Sequence, residues 1–289
     1  MNVAVTGPGG FIGSTLVPEL RARGHPAIAL GRAAIGDVAT FRDWTRVLDG
    51  ADAVVHLAGY AHGGAADEAR LRNVGVDATL ALGKAIAAKG LRMIYLSSVK
   101  VLGEETPLAP FGPESPLAPS DVYARAKADA EIGLREIQEL RLTILRPPLV
   151  YGPGVKANFL ALMRLVARGW PLPLASIENR RSLVYVGNLA DAIVRCIESP
   201  AAEGKTYLVS DGAPVSTPEL CRALARALGR TARLFPFPPV LLELVPALRK
   251  LTRSLEVDDR AIHSELGWVP PFAFEQGIRL TAQWYLARR

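Results

Sequence analysis

The chain has 289 residues, of which 49% are hydrophobic and 21% are charged. This length and balance are typical of a globular protein with one large domain or two lobes, and they exclude a disordered chain. Its two cysteines, Cys196 and Cys221, cannot build a disulfide framework, and no group of His, Cys and Asp residues has the spacing of metal ligands. We therefore expect a protein held together by its apolar core, without a metal site.

The net charge is +6 at pH 7, because 34 Lys and Arg residues outnumber 28 Asp and Glu residues. The basic residues are scattered, and no aromatic-rich basic run accompanies them, which argues against a nucleic-acid partner. The sequence shows neither a signal-peptide pattern at its start nor an apolar run of membrane-spanning length. We expect a cytoplasmic protein without a membrane span.

Short apolar strands alternate with helical segments along the chain. The first strand is expected at residues 2–6, and a helix at 12–23 precedes a second strand at 27–30. Further strands are expected at 52–57, 92–97, 142–146 and 205–209, helices at 74–89, 121–139 and 156–168, and a strand leading into a helix at 182–197. Alternation of this kind predicts a parallel sheet with helices on both faces.

A glycine-rich turn follows the first strand and opens the first helix. Gly7, Gly10 and Gly13 stand at GxxGxxG spacing. The first glycine permits a tight turn, the second lets a pyrophosphate approach the backbone, and the third lets the helix pack closely on the strand. Free N–H groups at a helix N-terminus favour an anion. We therefore predict a dinucleotide-binding turn formed by Gly7, Gly9, Gly10, Phe11, Ile12 and Gly13.

These features predict an α/β fold, namely a Rossmann-like doubly wound parallel sheet with a small C-terminal substrate-binding lobe. The regular alternation ends after Tyr151, where Pro-rich turns and short helices begin to dominate. We expect the dinucleotide-binding domain to consist of residues 1–151 and 182–211. The lobe then consists of residues 152–181 and 212–289.

The residues after the second strand bear on which dinucleotide binds. An acidic residue there would bind the ribose 2′-hydroxyl of NAD, but the sequence has Gly31 and Arg32. Because an arginine suits the 2′-phosphate of NADP, we expect NADP as the cofactor, with NAD as the alternative. Asp37 and Val38 follow after a short connection, and Asp37 is either a partner of the adenine amine or a turn acid.

A candidate proton-transfer group lies in the helix expected at 121–139. Tyr123 and Lys127 are four residues apart, so both side chains lie on one face of that helix. A free tyrosine has a pKa of about 10, whereas a nearby ammonium favours the phenolate and lowers that pKa. Ser98 ends an apolar strand, and ligands bind at the carboxyl ends of parallel strands. We therefore predict a catalytic site in which Ser98 orients the reacting oxygen, Tyr123 moves the proton and Lys127 tunes Tyr123.

Together these motifs resemble the extended short-chain dehydrogenase/reductase family, and the nucleotide-sugar epimerase/dehydratase branch fits best. The resemblance covers essentially the whole chain. The segments that carry it are TGPGGFIG (6–13), HLAG (56–59), Asn73, SSVKVLGE (97–104), YARAK (123–127), RPPLVYGPG (146–154), RRSLVYVGNLADAI (180–193) and ELGW (265–268).

The resemblance implies that Ser98, Tyr123 and Lys127 are the catalytic residues and that Lys127 also holds the nicotinamide ribose. It implies that Asn73 helps to position the cofactor. Further implied cofactor contacts are Leu57, Ala58, Gly59, Pro148 and Val150.

Two lobe residues match positions that contact the diphosphate of a nucleotide sugar in this family. They are Asn158 and Arg181, and a guanidinium forks well onto phosphate. For Arg181, a structural ion pair is the alternative.

The resemblance implies a UDP-linked hexose as substrate, with N-acetylated or 6-deoxy sugars of surface-polysaccharide synthesis included. We expect a 4-ketoreductase, because Arg32 differs from the acid that NAD-bound UDP-galactose 4-epimerases carry. A UDP-sugar 4-epimerase with tightly bound NAD is the alternative, and a reductase of small non-nucleotide carbonyls is a remote one. Lys100 and Leu102 also depart from the family, since they replace a small residue and a tyrosine. A homodimer is typical of the family.

Three points stay open at this stage. His62 lies in a Gly-rich loop near the expected cofactor cleft. The stretch 234–251 is apolar with a basic end, and it either covers the substrate cleft or contacts a membrane or a lipid-linked sugar. A non-catalytic redox-sensing or RNA-associated relative of the fold would typically lack the Tyr-xxx-Lys pair, which this chain has.

Overall fold

The computed structural model describes residues 1–59, 68–245 and 248–288. Its eight strands are β1 (Val3–Thr6), β2 (Ala27–Leu30), β3 (Ala53–His56), β4 (Arg92–Leu96), β5 (Arg141–Arg146), β6 (Leu149–Tyr151), β7 (Leu183–Tyr185) and β8 (Thr206–Leu208). Six of them form one parallel sheet in the order β2-β1-β3-β4-β5-β8, and β6 and β7 form a separate parallel pair. The fold is therefore the predicted α/β class.

Within the described residues, thirteen α-helices lie between the strands and after the last strand. They are α1 (Gly13–Ala22), α2 (Arg32–Ile35), α3 (Trp44–Val47), α4 (Glu68–Arg72), α5 (Ala78–Ala88), α6 (Val122–Arg135), α7 (Ala157–Arg168), α8 (Val186–Glu198), α9 (Thr217–Ala227), α10 (Pro239–Glu243), α11 (Arg249–Thr252), α12 (Arg260–Leu266) and α13 (Phe274–Leu286). A π-helical turn, Asn73–Asp77, joins α4 to α5, and 3-10 turns occupy Val99–Val101 and Pro200–Ala202.

The central strands are apolar on both faces because helices cover both faces. Val3 and Val5 of β1 contact one core with α1 and α8, whereas Ala4 contacts the opposite core with α5 and α6. From β1 the chain runs outward to β2 on one side and returns to β3 on the other side. This reversal of strand order opens a crevice at the carboxyl ends of β1 and β3, where open α/β sheets bind their ligands.

A second apolar core lies outside the large sheet. It joins α7, α9 and α13 to the β6–β7 pair, with Phe159, Met163 and Leu224 among its buried residues. The helix α12 instead packs on the large sheet, since Ile262 and Leu266 belong to the core around α8. The division into 1–151 with 182–211 and 152–181 with 212–289 stays a proposal.

The predicted elements fall close to the observed ones, with two differences of detail. The helix expected at 74–89 begins with the π-helical turn, and the helix expected at 121–139 ends at Arg135. Among the described residues, no helix combines the length and apolar composition of a membrane span. The stretch 234–251, of which residues 246–247 are outside the described part, exposes Val240 and Leu244. Its contact with a membrane or a lipid-linked sugar stays a prediction.

A buried ion pair fixes α6 against the sheet. The Arg146 guanidinium at the end of β5 donates to both carboxylate oxygens of Glu131 on α6, with Nη2 2.6 Å from Oε2, and both side chains are at most 5% exposed. Arg146 also donates to the carbonyl of Pro113 at 2.9 Å. Removing one partner of such a pair leaves an uncompensated charge inside the protein.

We therefore expect Glu131→Ala to lower the free energy of unfolding by about 3–5 kcal/mol. Glu136→Ala, at the exposed end of the same helix, is the control and should cost far less. Urea unfolding of both variants measures the difference. Equal losses in the two variants would contradict a structural role for this pair.

Candidate active site

The glycine turn has the geometry that its sequence predicts. Gly7 has φ +68°, and its carbonyl oxygen would lie 2.3 Å from a Cβ added at Gly13, so neither position admits a side chain without a backbone shift. The N–H of Gly10 donates to the same carbonyl at 3.1 Å. Gly9 is different, because a Cβ there would have no neighbour within 4 Å. Packing does not require glycine at this position, and its absence of a side chain leaves the backbone of the turn open to a ligand.

The start of α1 also fits an anion. The first turn of α1 carries no acidic residue, so the positive end of the helix dipole is not offset there. Phe11, in the turn, lies next to Gly154 at the end of the 146–154 segment, since a Cβ at Gly154 would lie 3.4 Å from the Phe11 ring. The residues of the turn therefore fit a dinucleotide pyrophosphate.

A pocket of about 190 Å³ continues from the turn along the carboxyl ends of β1, β2 and β3. Its lining contains predicted cofactor residues and several residues that were not predicted. The lining residues are Gly7, Leu30, Gly31, Arg32, Ile35, Gly36, Asp37, Val38, Ala58, Gly59, Arg70 and Val74. The size and position fit the adenosine end of a dinucleotide.

Two arginines and one acid set the charge of this pocket. Arg32 begins α2 and is exposed, and its guanidinium has no ion pair or hydrogen bond among the described residues. Asp37 lies 3.6 Å from the Arg70 guanidinium, and its carboxylate accepts a hydrogen bond from the N–H of Ala39 at 3.0 Å. The turn-acid role of Asp37 is thus visible, and Arg32 is the cation available to a ligand phosphate.

The loop after β3 is held by the end of β1. The hydroxyl of Thr6 accepts hydrogen bonds from the N–H groups of Leu57 and Ala58 at 3.2 and 3.1 Å. Thr6 also pairs with His56 at 2.8 Å, and burial lowers the pKa of this histidine to about 3. His56 is therefore a neutral, packed residue. His62 lies outside the described residues.

Lys127 lies where three parts of the site meet. Its ammonium donates to the carbonyl of Leu96, the last residue of β4, at 2.8 Å and lies 4.6 Å from the centre of the Tyr95 ring. A Cβ at Gly59 would lie 3.7 Å from the same nitrogen. Lys127 thus connects the helix α6, the end of β4 that leads to Ser98, and the predicted cofactor loop.

Ser98 and Tyr123 lie at the starts of two adjacent segments. Ser98 caps the 3-10 turn after β4, where its hydroxyl accepts a hydrogen bond from the N–H of Lys100 at 3.3 Å. Tyr123 is the second residue of α6, whose N-cap Asp121 accepts from the N–H of Ala124 at 2.7 Å. The ammonium of Lys100 pairs with Asp121 and lies 6.0 Å from the centre of the Tyr123 ring. These contacts connect the Ser98 turn to the first turn of the Tyr123 helix through Lys100.

The electrostatics of Tyr123 differ from the prediction. Burial raises the pKa of Tyr123 to about 12, and the carboxylate of Asp121 adds to this shift. Burial lowers the pKa of Lys127 to about 8, and Glu131 opposes that shift. In the protein alone, the expected lowering of the Tyr123 pKa is therefore wrong, because desolvation of the phenolate and the charge of Asp121 both raise it.

The remaining predicted cofactor residues lie in two separate segments, the π-helical turn and the stretch that leads into β6. Asn73 is exposed at the start of the π-helical turn, which packs against α6 so closely that a Cβ at Gly75 would lie 3.3 Å from the Ala126 methyl group. Pro148 is buried directly before β6, and Val150 is half-buried within it. Their contacts with a cofactor stay predictions.

The two predicted diphosphate residues differ in their surroundings. Asn158 is exposed in the first turn of α7, directly after Ala157, which has φ +51°. Arg181 donates through Nη1 to the carbonyls of Lys250 and Arg253 at 2.8 and 2.9 Å. The structural alternative for Arg181 was an ion pair, whereas these partners are backbone oxygens. Its contact with a diphosphate stays a prediction.

Sequence reasoning missed two charged residues around the site. Arg70 lines the pocket, and Asp121 lies beside Tyr123. Asp121 is detectable as an N-cap acid before an apolar helix, whereas Arg70 carries no local signal. Lys100, which departs from the family pattern, also lies beside Tyr123, and Lys250 reaches the same region from the lobe.

Comparison with known proteins decides the family. The family profile described as the NAD dependent epimerase/dehydratase family matches residues 3–210 of this sequence. The chain belongs to the NAD-dependent epimerase/dehydratase family. The resemblance to the extended short-chain dehydrogenase/reductases is thereby confirmed, and the protein is an NAD(P)-dependent enzyme of that type.

Individual members of the epimerase/dehydratase family match over almost their full length. A UDP-glucose 4-epimerase of Vibrio cholerae is 38% identical over 99% of this chain and 95% of its own. An N-acetyl-α-D-glucosaminyl-diphospho-ditrans,octacis-undecaprenol 4-epimerase of Escherichia coli O157:H7 is 26% identical over 98% of this chain and 95% of its own. The structure of Thermus thermophilus UDP-glucose 4-epimerase with NAD is 25% identical, covers 100% of both chains, and superposes with a TM-score of 0.81.

The open surface at Gly9 generates a first prediction for the site. A Cβ at Gly9 has no protein atom within 4 Å, so we expect Gly9→Val to give a folded protein whose affinity for a nicotinamide dinucleotide is at least about tenfold weaker. Titration of protein fluorescence with NADPH and NADH measures the affinity. Gly13→Ala is the contrasting variant, since its Cβ would clash with the Gly7 carbonyl and lower the melting temperature. Unchanged affinity in Gly9→Val would contradict the pyrophosphate site.

Lys127 generates a second prediction, on how the free energy of unfolding changes with pH. Because the folded protein holds the pKa of Lys127 at about 8, below its usual 10.5, the unfolded chain binds more protons between these values. The wild type should therefore gain stability relative to Lys127→Met as the pH rises from 8 to 10.5, by about 3 kcal/mol in total. Chemical unfolding across this range measures the gain, with the exposed Lys84→Met as control. A difference independent of pH would contradict the shifted pKa.

Proposed function

We propose that this enzyme transfers hydride between a nicotinamide dinucleotide and C4 of a UDP-linked hexose, as a 4-ketoreductase that uses NADPH. The observation that carries the preference is Arg32. It lines the pocket proposed for the adenosine end, its guanidinium has no partner among the described residues, and no acidic residue precedes it at the end of β2. A free guanidinium at this position suits the 2′-phosphate of NADPH, and NADPH is the reductant of net reductions.

The substrate class is supported by the relatives and by the cleft. A 38% identical relative that spans the whole chain is named a UDP-glucose 4-epimerase. On the lobe side, the exposed amide of Asn158 and the guanidinium of Arg181 are groups that bind a diphosphate. We propose that the UDP-sugar lies between the lobe and the sheet, with C4 near Tyr123.

Each side chain of the site has its own role in the proposed reaction. When bound, NADPH would supply the hydride to C4 of the keto sugar. Tyr123 gives its phenolic proton to O4, so that the carbonyl becomes an alcohol, and Ser98 donates a hydrogen bond that orients O4. Lys127, held by the Leu96 carbonyl, presents its ammonium to the cofactor ribose and favours the phenolate that Tyr123 leaves behind.

A 4-epimerase with tightly bound NAD is the second candidate, and the 38% identical relative favours it. It needs the same three side chains, but Tyr123 first accepts the proton of the 4-hydroxyl and later returns it. The two candidates differ in whether the cofactor leaves after each turnover. A reductase of small non-nucleotide carbonyls is the remote alternative, since it has no use for Asn158 and Arg181.

The cellular setting follows from this function as part of the proposal. We propose a cytoplasmic homodimer that serves the synthesis of surface-polysaccharide sugars. Its partner is the UDP-sugar, and no nucleic acid is involved.

The first experiment is to identify the cofactor of freshly purified protein. We expect denatured protein to release no stoichiometric NAD, and the native protein to bind NADPH at least tenfold more tightly than NADH. Arg32→Ala should remove most of this preference, whereas Arg46→Ala, a 78% exposed arginine outside the pocket, should not. Loss of NADPH absorbance with a UDP-4-keto sugar then tests the reaction. Stoichiometric NAD in the supernatant would instead support the epimerase.

A further inference from the structure

Lys100 lies beside the catalytic groups although the family pattern has a small residue at this position. It belongs to the 3-10 turn that Ser98 caps, and its N–H donates to the Ser98 hydroxyl at 3.3 Å. Its ammonium pairs with the carboxylate of Asp121 and lies 3.2 Å from that of Glu104. The same ammonium is 6.0 Å from the centre of the Tyr123 ring. One side chain thus spans the gap between the Ser98 turn and the helix of Tyr123.

Asp121 has two roles that Lys100 affects. One carboxylate oxygen accepts the hydrogen bond that caps α6, from the N–H of Ala124, and the other oxygen binds the Lys100 ammonium. The charge of Asp121 also raises the pKa of Tyr123. Lys100 therefore holds the first turn of the catalytic helix in place and offsets a negative charge that disfavours the phenolate.

The same network continues into the lobe. The carboxylate of Glu104 lies 3.2 Å from the Lys250 ammonium as well as from that of Lys100. Next to it, Glu105 pairs with Arg253 at 2.5 Å. Lys250 and Arg253 are also the residues whose carbonyls receive the Arg181 guanidinium. Lys100 thus connects the Ser98 turn to α6 through Asp121 and to the lobe through Glu104.

We propose that Lys100 is a positioning residue that fixes Ser98 and Tyr123 relative to each other and tunes the acidity of Tyr123 through Asp121. The proposal rests on the proposed function for the role of Tyr123 as the proton donor. Lys100 does not itself touch the reacting atoms in this assignment.

The direction of tuning depends on every group that faces Tyr123. The turn after β4 contributes Lys100, β4 itself contributes Tyr95, and the N-cap of α6 contributes Asp121, while the Lys127 ammonium on the same helix lies against the Tyr95 ring. Tyr95 is buried and neutral, since burial raises its pKa well above the usual value. Loss of the Lys100 charge should raise the pKa of Tyr123, and loss of the Asp121 charge should lower it.

The test uses four variants of the full-length protein. Lys100→Met removes the cation, Lys100→Arg retains it, Asp121→Ser removes the carboxylate but keeps an N-cap oxygen, and the fourth combines Lys100→Met with Asp121→Ser. Lys89→Met breaks a Lys–Asp pair of similar geometry, 2.6 Å from Asp49 and away from the site, and is the matched control. Each protein is checked for its melting temperature and for NADPH affinity.

The first readout is the apparent pKa of Tyr123 in NADPH-loaded protein. It is measured from tyrosinate absorbance, after subtraction of the signal of the same protein with Tyr123→Phe. Relative to wild type, we expect this pKa to rise by about one pH unit in Lys100→Met, to fall by about one unit in Asp121→Ser, and to stay close to the wild-type value in the double variant. Lys100→Arg and Lys89→Met should behave as wild type. Equal values in all variants would overturn the proposal.

The second readout is the pH profile of kcat/KM with a UDP-4-keto sugar. We expect Lys100→Met to lose about tenfold in kcat, with the alkaline limb moved to higher pH, and Lys100→Arg to recover most of the rate. A uniform loss at every pH, without rescue by arginine, would show a merely structural role and overturn the proposal. If the Tyr123 absorbance shifts but no UDP-sugar reacts, the inference about Lys100 stands and the proposed substrate is wrong.

Discussion

The position of α6 on the parallel sheet is the constraint on which the candidate site depends. Two buried charges hold this helix: the carboxylate of Glu131 binds Arg146 of β5, and the ammonium of Lys127 binds the carbonyl of Leu96 at the end of β4. Sliding the helix by one turn would leave both charges buried without partners, which is strongly unfavourable. The height of Tyr123 above the sheet is therefore fixed by interactions one and two turns further along its own helix.

Different groups line the two halves of the cleft. On the side expected to bind the dinucleotide, the backbone of the turn faces the cleft, because Gly7 and Gly13 let α1 start directly after β1 and Gly9 has no side chain to cover the turn. The catalytic side is made from charges in a largely dehydrated space, where Tyr123 and Lys127 both resist ionisation. A positively charged nicotinamide beside this pair would favour the phenolate.

Local sequence was sufficient for elements whose signal lies within one segment. The glycine turn, the strand of Ser98 and the helix of Tyr123 and Lys127 were each predictable, since hydrophobic period and capping decide them. The family followed from the same motifs. The π-helical turn at Asn73–Asp77 was read as ordinary helix, because its wider winding reflects packing against α6 rather than a local preference.

The sequence by itself determined the α/β fold, the glycine turn and the choice of Ser98, Tyr123 and Lys127 as the candidate catalytic residues. Only the tertiary structure decided the charge environment of those residues. Asp121 raises the pKa of Tyr123, Lys100 binds Asp121, and Lys250 comes from a segment far along the chain to share Glu104. Motifs record which groups are present, whereas a pKa depends on distance and dehydration, and both quantities exist only after the chain has folded.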